Sequence, residues 1–119
     1  MDAPRIGNVL YAVDDVDAAV AFYRDALGLP LKFQDGTRFA GLDGGGVTLA
    51  LVGADEDVTA GAPAAALKVP DVAAAMERAA AAGAAVLRRP QQGPHEIRAV
   101  LRDPAGNVVV LYSTERSTP

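Results

Sequence analysis

The chain has 119 residues, 50% hydrophobic and 22% charged, a composition that excludes a disordered chain and fits one small globular domain. Eleven basic against fifteen acidic residues leave a formal charge of −4 with no basic cluster, which argues against nucleic acid or an anionic membrane as partner and weakly favours cationic small molecules. There is no Cys, one His (His95) and two Ser (Ser113 and Ser117, both in the last seven residues), so disulfides, thiolate metal sites, a Cys nucleophile and a Ser-His-Asp engine in the core are excluded.

In chain order, Val9, Tyr11 and Val13 alternate with Asn8, Leu10 and Ala12, the period of a strand. Asp15 suits an N-cap. Val16, Ala19, Val20, Tyr23 and Leu27 follow at helical spacing, with Phe22 and Ala26 widening the apolar stripe. Gly28 can end that helix in the left-handed conformation, and Pro30 discourages continuation. Short strands are expected at about residues 31–34, 38–42 and 47–52, separated by the turn signals Asp35-Gly36 and Asp43-Gly44-Gly45-Gly46. Residues 54–63 form a polar, acidic, Gly- and Pro-bearing linker. Ala65, Leu67 and Val69 then make a strand face, and Asp71 caps a second helix with Val72, Ala75, Met76 and Ala79 inward, closed by Gly83. Strands at about residues 85–89, 97–102 and 108–112 complete the chain, separated by a 90–94 loop and the turn Asp103-Pro104-Ala105-Gly106-Asn107.

The order repeats. Val13-x-Asp15-Val16 overlays Val69-x-Asp71-Val72 at an offset of 56, and Gly28 overlays Gly83 at 55. The expected fold class is α+β: one domain, residues 1–119, made of two tandem β-α-β-β-β modules at about residues 5–53 and 64–114.

The segment from Val13 to Leu29, of pattern VxDxxxAxxFYxxxLGL, and the late RDPAGNVVVLY, Arg102 to Tyr112, resemble the vicinal oxygen chelate superfamily of glyoxalase I, bleomycin-resistance proteins and extradiol dioxygenases. The match spans about residues 5–113. The resemblance implies mixed sheets that curl together around a concave site. It does not choose a chemistry, because the fold hosts isomerases, dioxygenases, transferases and non-catalytic drug binders. The Asp103–Asn107 turn is read as structural, since Pro104 fixes φ and Gly106 or Asn107 can take positive φ.

Metal-dependent relatives take one ligand from each of four strands. Carried over one at a time, those positions are Asn8, Ala64, about Ala50, and Val110. Ala and Val have no donor, and a lone Asn oxygen is one weak, neutral ligand. A shift of one residue offers only Leu49, Leu51, Val109 or Leu111. His95 and Glu96 are adjacent and would point to opposite faces of an extended strand. No metal and no other cofactor is expected, and chemistry that uses an ion as Lewis acid is disfavoured.

By alternation, the face away from the helices shows Asn8, Leu10, Ala12; Thr48, Ala50, Val52; Ala64, Ala66, Lys68; and Val108, Val110, Tyr112. Small apolar walls with sparse polar handles suit a small-molecule pocket; packing of a partner strand or loop would also explain them. The candidate ligand-binding residues are Asn8, Arg38, Phe39, Ala50, His95, Val110 and Tyr112. Asn8 either bonds a ligand or is a satisfied buried amide. Arg38, beside Phe39, either meets an anionic or planar ligand or is an exposed edge residue. His95 is a ligand contact or a surface His, and Tyr112 a pocket rim or core. Lys68 and Arg98 flank the second module's mouth, either as handles or as solvated charges. The acidic residues cluster at caps, turns and the linker, where they need no catalytic explanation.

The expected function is metal-independent sequestration of a small aromatic or cationic compound in an apolar cleft, as in the bleomycin-resistance proteins. The alternative is a metal-independent enzyme, of lyase or isomerase type, on a small carbonyl or phenolic metabolite, with Asn8, Arg38 or His95 stabilising charge. A metal enzyme with ligands placed elsewhere is the third reading. The expected partners are a small-molecule ligand and a second copy of the chain, since small modules of this fold commonly pair. No apolar run approaches the roughly 18 residues of a membrane span, and the first residues lack a signal peptide's apolar region, so a soluble, cytoplasmic protein is expected.

Overall fold

The computed structural model describes residues 3–114 and has a mixed α+β fold. The chain divides into two compact units: residues 7–63, and the described residues before Gly7 together with those from Ala64 onward. No helix among the described residues is long and apolar enough to cross a membrane.

The first unit contains β1 (Arg5–Ala12, whose first two residues group with the other unit), α1 (Val16–Ala21), β2 (Leu31–Asp35), β3 (Phe39–Asp43) and β4 (Thr48–Val52). Its strands lie in the order β2-β3-β4-β1, with β4 parallel to β1 and the other pairs antiparallel. The chain enters α1 through Asp15, whose carboxylate accepts the Ala18 N–H at 3.0 Å. Val16 and Val20 of α1 then pack on Ala40, Leu42 and Leu51, all five fully buried. Burial of each larger side chain contributes about 1.5–3 kcal/mol.

The helix is shorter than its spacing suggests. After Ala21 the backbone widens into a π-helical turn over Phe22–Ala26, closed by a bond from the Leu27 N–H to the Phe22 carbonyl at 3.3 Å. The wider winding rotates the stripe, so Phe22 and Leu27, expected inside, are 54% and 61% exposed, and Ala26 is exposed too. Tyr23 keeps its place against the core.

The second unit repeats the plan with β5 (Ala64–Lys68), α2 (Val72–Ala81), β6 (Ala85–Gln92), β7 (Ile97–Arg102) and β8 (Val108–Ser113), in the order β5-β8-β7-β6. Here β5 and β8 are the parallel pair. Asp71 accepts the Ala74 N–H at 3.0 Å, the same cap as Asp15 makes. Val72 and Met76 of α2 pack on Val69, Ala99, Leu101 and Leu111. Both helices end before glycines at positive φ, Gly28 at +83° and Gly83 at +105°, as the repeat predicts.

Strand β6 runs further than expected. Residues 90–92, assigned to a loop from the sequence, continue the strand to Gln92. Pro90 is tolerated because β6 ends the sheet order and is exposed throughout, and because register shifts at Val86/Arg88 and Arg88/Gln91 relax the pairing with β7. In the 103–107 turn, Asp103 Oδ1 accepts the N–H groups of Ala105 and Asn107 at 2.9 and 2.8 Å, a structural role. The 54–63 segment is also organised. Asp57 accepts the Thr59 and Gly61 N–H groups at 2.8 and 2.7 Å, and Thr59 is buried.

Candidate functional site

In the first unit, register sorts the sheet face opposite α1 into rows. Phe33, Gly41, Ala50 and Leu10 form one across β2, β3, β4 and β1. Asp35, Phe39, Val52 and Ala12 form the next on one side, and Asp43, Thr48 and Asn8 on the other. Phe33 is 51% exposed and stacks on Phe39 at a ring-centroid distance of 5.5 Å and an interplanar angle of 14°. A Cβ at Gly41 would lie 2.7 Å from Phe33 Cε1, so only glycine leaves the ring its seat. The register slips between Leu31 and Phe33, and Lys32 between them sends its Nζ to Thr48 Oγ1 at 2.9 Å. A flat aromatic surface, a low floor and one ammonium at its margin are thus gathered on a single sheet face.

In the second unit, the face opposite α2 carries Lys68, Tyr112 and Arg98 in one row across β5, β8 and β7. Ala66, Val110, Val100 and Arg88 form the next, and Val108 pairs with Arg102 beyond it. This face is basic, although the chain as a whole is acidic: the carboxylates of Asp15, Asp71, Asp57 and Asp103 are spent on caps and turns. Arg98 Nε lies 3.6 Å from Glu96 Oε1. Burial raises the Glu96 carboxyl above its ordinary range, while Arg98 and His95 pull it the other way.

The seven sequence-predicted residues separate accordingly. Asn8, Phe39 and Ala50 share the face of the first unit opposite α1; Asn8 and Phe39 are half-buried and Ala50 is fully buried. Arg38 precedes β3, and its guanidinium is bonded to Asp35 Oδ2 at 2.7 Å, so it is tied to the β2–β3 turn. Val110, buried, and Tyr112, half-buried, share the face of the second unit opposite α2. His95 is exposed in the β6–β7 loop. A cleft of about 370 Å³ in the second unit, lined by Ala3, Arg5, Lys68, Val69, Pro70, Ser113 and Thr114, involves none of the seven. Sequence reasoning missed Phe33 and Gly41 as a pair. The available signal was two Phe residues flanking a hairpin turn, and what hid it was the bulge at Lys32 that sets their alignment.

The metal that the fold suggests was tested against the donor set. Asn8 and Ala50 on β1 and β4 offer one amide, and Ala64 and Val110 on β5 and β8 offer no donor. Among the described residues no three of His, Asp and Glu gather where they could hold an ion. These residues do not fit a divalent metal.

Comparison with known proteins agrees with the fold. The chain is 41% identical over 113 residues to an uncharacterized protein of Mycolicibacterium smegmatis, covering 95% of this chain and 97% of that one. A variant of methylmalonyl-CoA epimerase from Streptomyces coelicolor, solved in complex with 2-nitronate-propionyl-CoA, superposes with a TM-score of 0.72 at 26% identity, covering 97% of this chain and 98% of that one. A glyoxalase/bleomycin resistance protein/dioxygenase superfamily member from Vibrio splendidus 12B01 superposes with a TM-score of 0.71 at 18% identity, covering 93% and 99% of the two chains. The model of that superfamily matches residues 5–111, and with two β-α-β-β-β units in the described residues the chain belongs to the Glyoxalase/Bleomycin resistance protein/Dioxygenase superfamily.

Proposed function

We propose that this protein is a metal-independent small-molecule binder of the drug-sequestering type, which holds a flat aromatic compound against Phe33 and Phe39. The observation that carries the reading is the stacked, half-exposed Phe33 ring, kept in place by the missing side chain at Gly41. Stacking on such a surface rewards any planar π-system and needs no ion. Of the two ligand types expected from the sequence, the stacked rings favour the aromatic one, with Lys32 at the margin of the seat and the Asp35 carboxylate engaged by Arg38. Metal independence rests on the donor chemistry of Asn8, Ala50, Ala64 and Val110. We further propose a cytoplasmic homodimer. Exposed Phe22 and Leu27 support the pairing, and light scattering on the purified protein tests it.

Calorimetry against a panel of planar aromatic antibiotics tests the binding. We expect saturable binding that survives a chelator and is lost in Phe33→Ala. A panel without binders, or a stoichiometric transition metal in the purified protein, overturns it.

A second reading, an enzyme on a small carbonyl metabolite, draws support from Glu96. Burial raises its carboxyl above the ordinary range, Arg98 lies 3.6 Å away, and a structural relative with 26% identity is an epimerase. Chelator-resistant turnover that collapses in Glu96→Gln would favour it.

A further inference from the structure

The cleft of the second unit has a physical origin in its topology. Strands β5 and β8 are parallel, so both end on the same side: β5 turns away through Val69 and Pro70 toward α2, and β8 ends at Ser113. Between these ends and the residues at the start of β1 lies a hollow of about 370 Å³. Its floor and walls are Ala3, Val69 and Pro70, which are apolar, with Ser113 and Thr114 supplying hydroxyl groups. Among the described residues that line it, the charged ones are Arg5 and Lys68, both cationic.

Among the described residues, no carboxylate lines the hollow. Asp71, which follows Pro70, is committed to the Ala74 N–H at 3.0 Å. The Val69 N–H is likewise spent, on the Tyr112 carbonyl at 2.9 Å, and Pro70 has no N–H to give. Neither Arg5 nor Lys68 forms an ion pair among the described residues. Two cations brought to one concavity repel each other, and an anion placed between them relieves that repulsion. Lys68 belongs to the basic face of this unit, and Arg5 brings a second cation to its edge.

We infer that this cleft is an anion-binding site for a small organic carboxylate or phosphate ester, its oxygens taken by Arg5 and Lys68 and its apolar remainder laid on Ala3, Val69 and Pro70. Arg5 supplies a fork that matches two oxygens of one anionic group, and Lys68 a point charge. The volume exceeds what a bare inorganic ion would fill, and the apolar wall gives an attached carbon skeleton a place. The site uses no residue of the Phe33–Phe39 seat and stands independently of it.

The test is a titration of the full chain with benzoate and, separately, inorganic phosphate, at low salt, followed by amide NMR. We expect saturable shifts at Val69 and Ser113 that weaken with added salt. Lys68→Met and Arg5→Gln should each cost about tenfold or more in affinity, the loss of one charge-assisted contact. Arg5→Lys, which keeps the charge and loses the fork, should cost less than Arg5→Gln, which separates lost charge from lost fold. Saturation by benzoate alone assigns the site to carboxylates, and by phosphate alone to phosphates. Phe33→Ala should leave the shifts unchanged, so failure of the aromatic seat would not be mistaken for failure of this one. Absence of saturable shifts with both probes, or affinities unchanged in both Lys68→Met and Arg5→Gln, overturns the inference.

Discussion

Gly41 and Phe33 face each other across the β2–β3 pair so closely that a methyl group on Gly41 would stand 2.7 Å from the Phe33 ring and 3.2 Å from Thr48 Cγ2. A residue with no side chain therefore decides where an aromatic ring lies. Gly41→Ala must displace the ring tip, a flexible element, so the stability cost is small, about 1 kcal/mol. The stack on Phe39 is lost with the displacement. Thermal unfolding should show the variant folded, while calorimetry should show aromatic ligands bound markedly more weakly. Unchanged affinity in Gly41→Ala would remove this geometry from the binding account.

The twin caps make a sharper comparison. Asp15 and Asp71 each accept the N–H three residues on at 3.0 Å, and each starts a helix that presents two buried residues to its core. Asp15→Ala and Asp71→Ala should each lower stability by about 1 kcal/mol in denaturant unfolding. Since the two caps share no partner, the double variant should show the sum. Asp→Ser at either position should recover most of the loss. Single variants as stable as the parent would mean that the helices are held by packing alone, and a double variant no worse than the single ones would mean that the two caps are coupled.

Two carboxyl groups give stability opposite dependences on pH. Hydrogen bonds from Asn107, with those from Ala105 and Gly106, lower the Asp103 carboxyl below its ordinary range. A depressed carboxyl stabilises the fold above its unfolded pKa, and that contribution disappears as the pH falls through the folded value. Asp103→Asn should therefore flatten the acid side of the stability profile. Glu96 is raised instead, chiefly by desolvation. It favours the folded state when protonated and opposes it once ionised, so Glu96→Gln should gain stability at neutral pH and gain nothing at low pH. Melting temperatures measured from pH 3 to pH 7 check both signs; a profile for Glu96→Gln parallel to that of the parent protein contradicts the second.

Local features were legible in the sequence. Asp15, Asp71, Gly28, Gly83 and the Asp103–Asn107 turn act through bonds spanning a few residues, and all lie where the pattern puts them. The family followed from the same residues. What stayed hidden depends on pairing between distant strands. The bulge at Lys32 aligns Phe33 with Gly41, and the β7–β8 register sets Arg98 beside Tyr112. Nothing in the stripe of α1 announced the wider turn at Phe22–Ala26, because one added residue per turn leaves composition unchanged. Arg38 looked available for a ligand because its partner, Asp35, was read only as a turn signal.

The opening residues of β1 keep company with the end of the chain. Arg5 lines the same hollow as Ser113, more than a hundred positions away, and Ile6 groups with the segment from Ala64 onward. During synthesis this short stretch leaves the ribosome well before the strands it joins, and it stays unpaired with them until they follow. A substitution at Arg5 or Ile6 would therefore disturb the half of the molecule that looks more remote from it on paper.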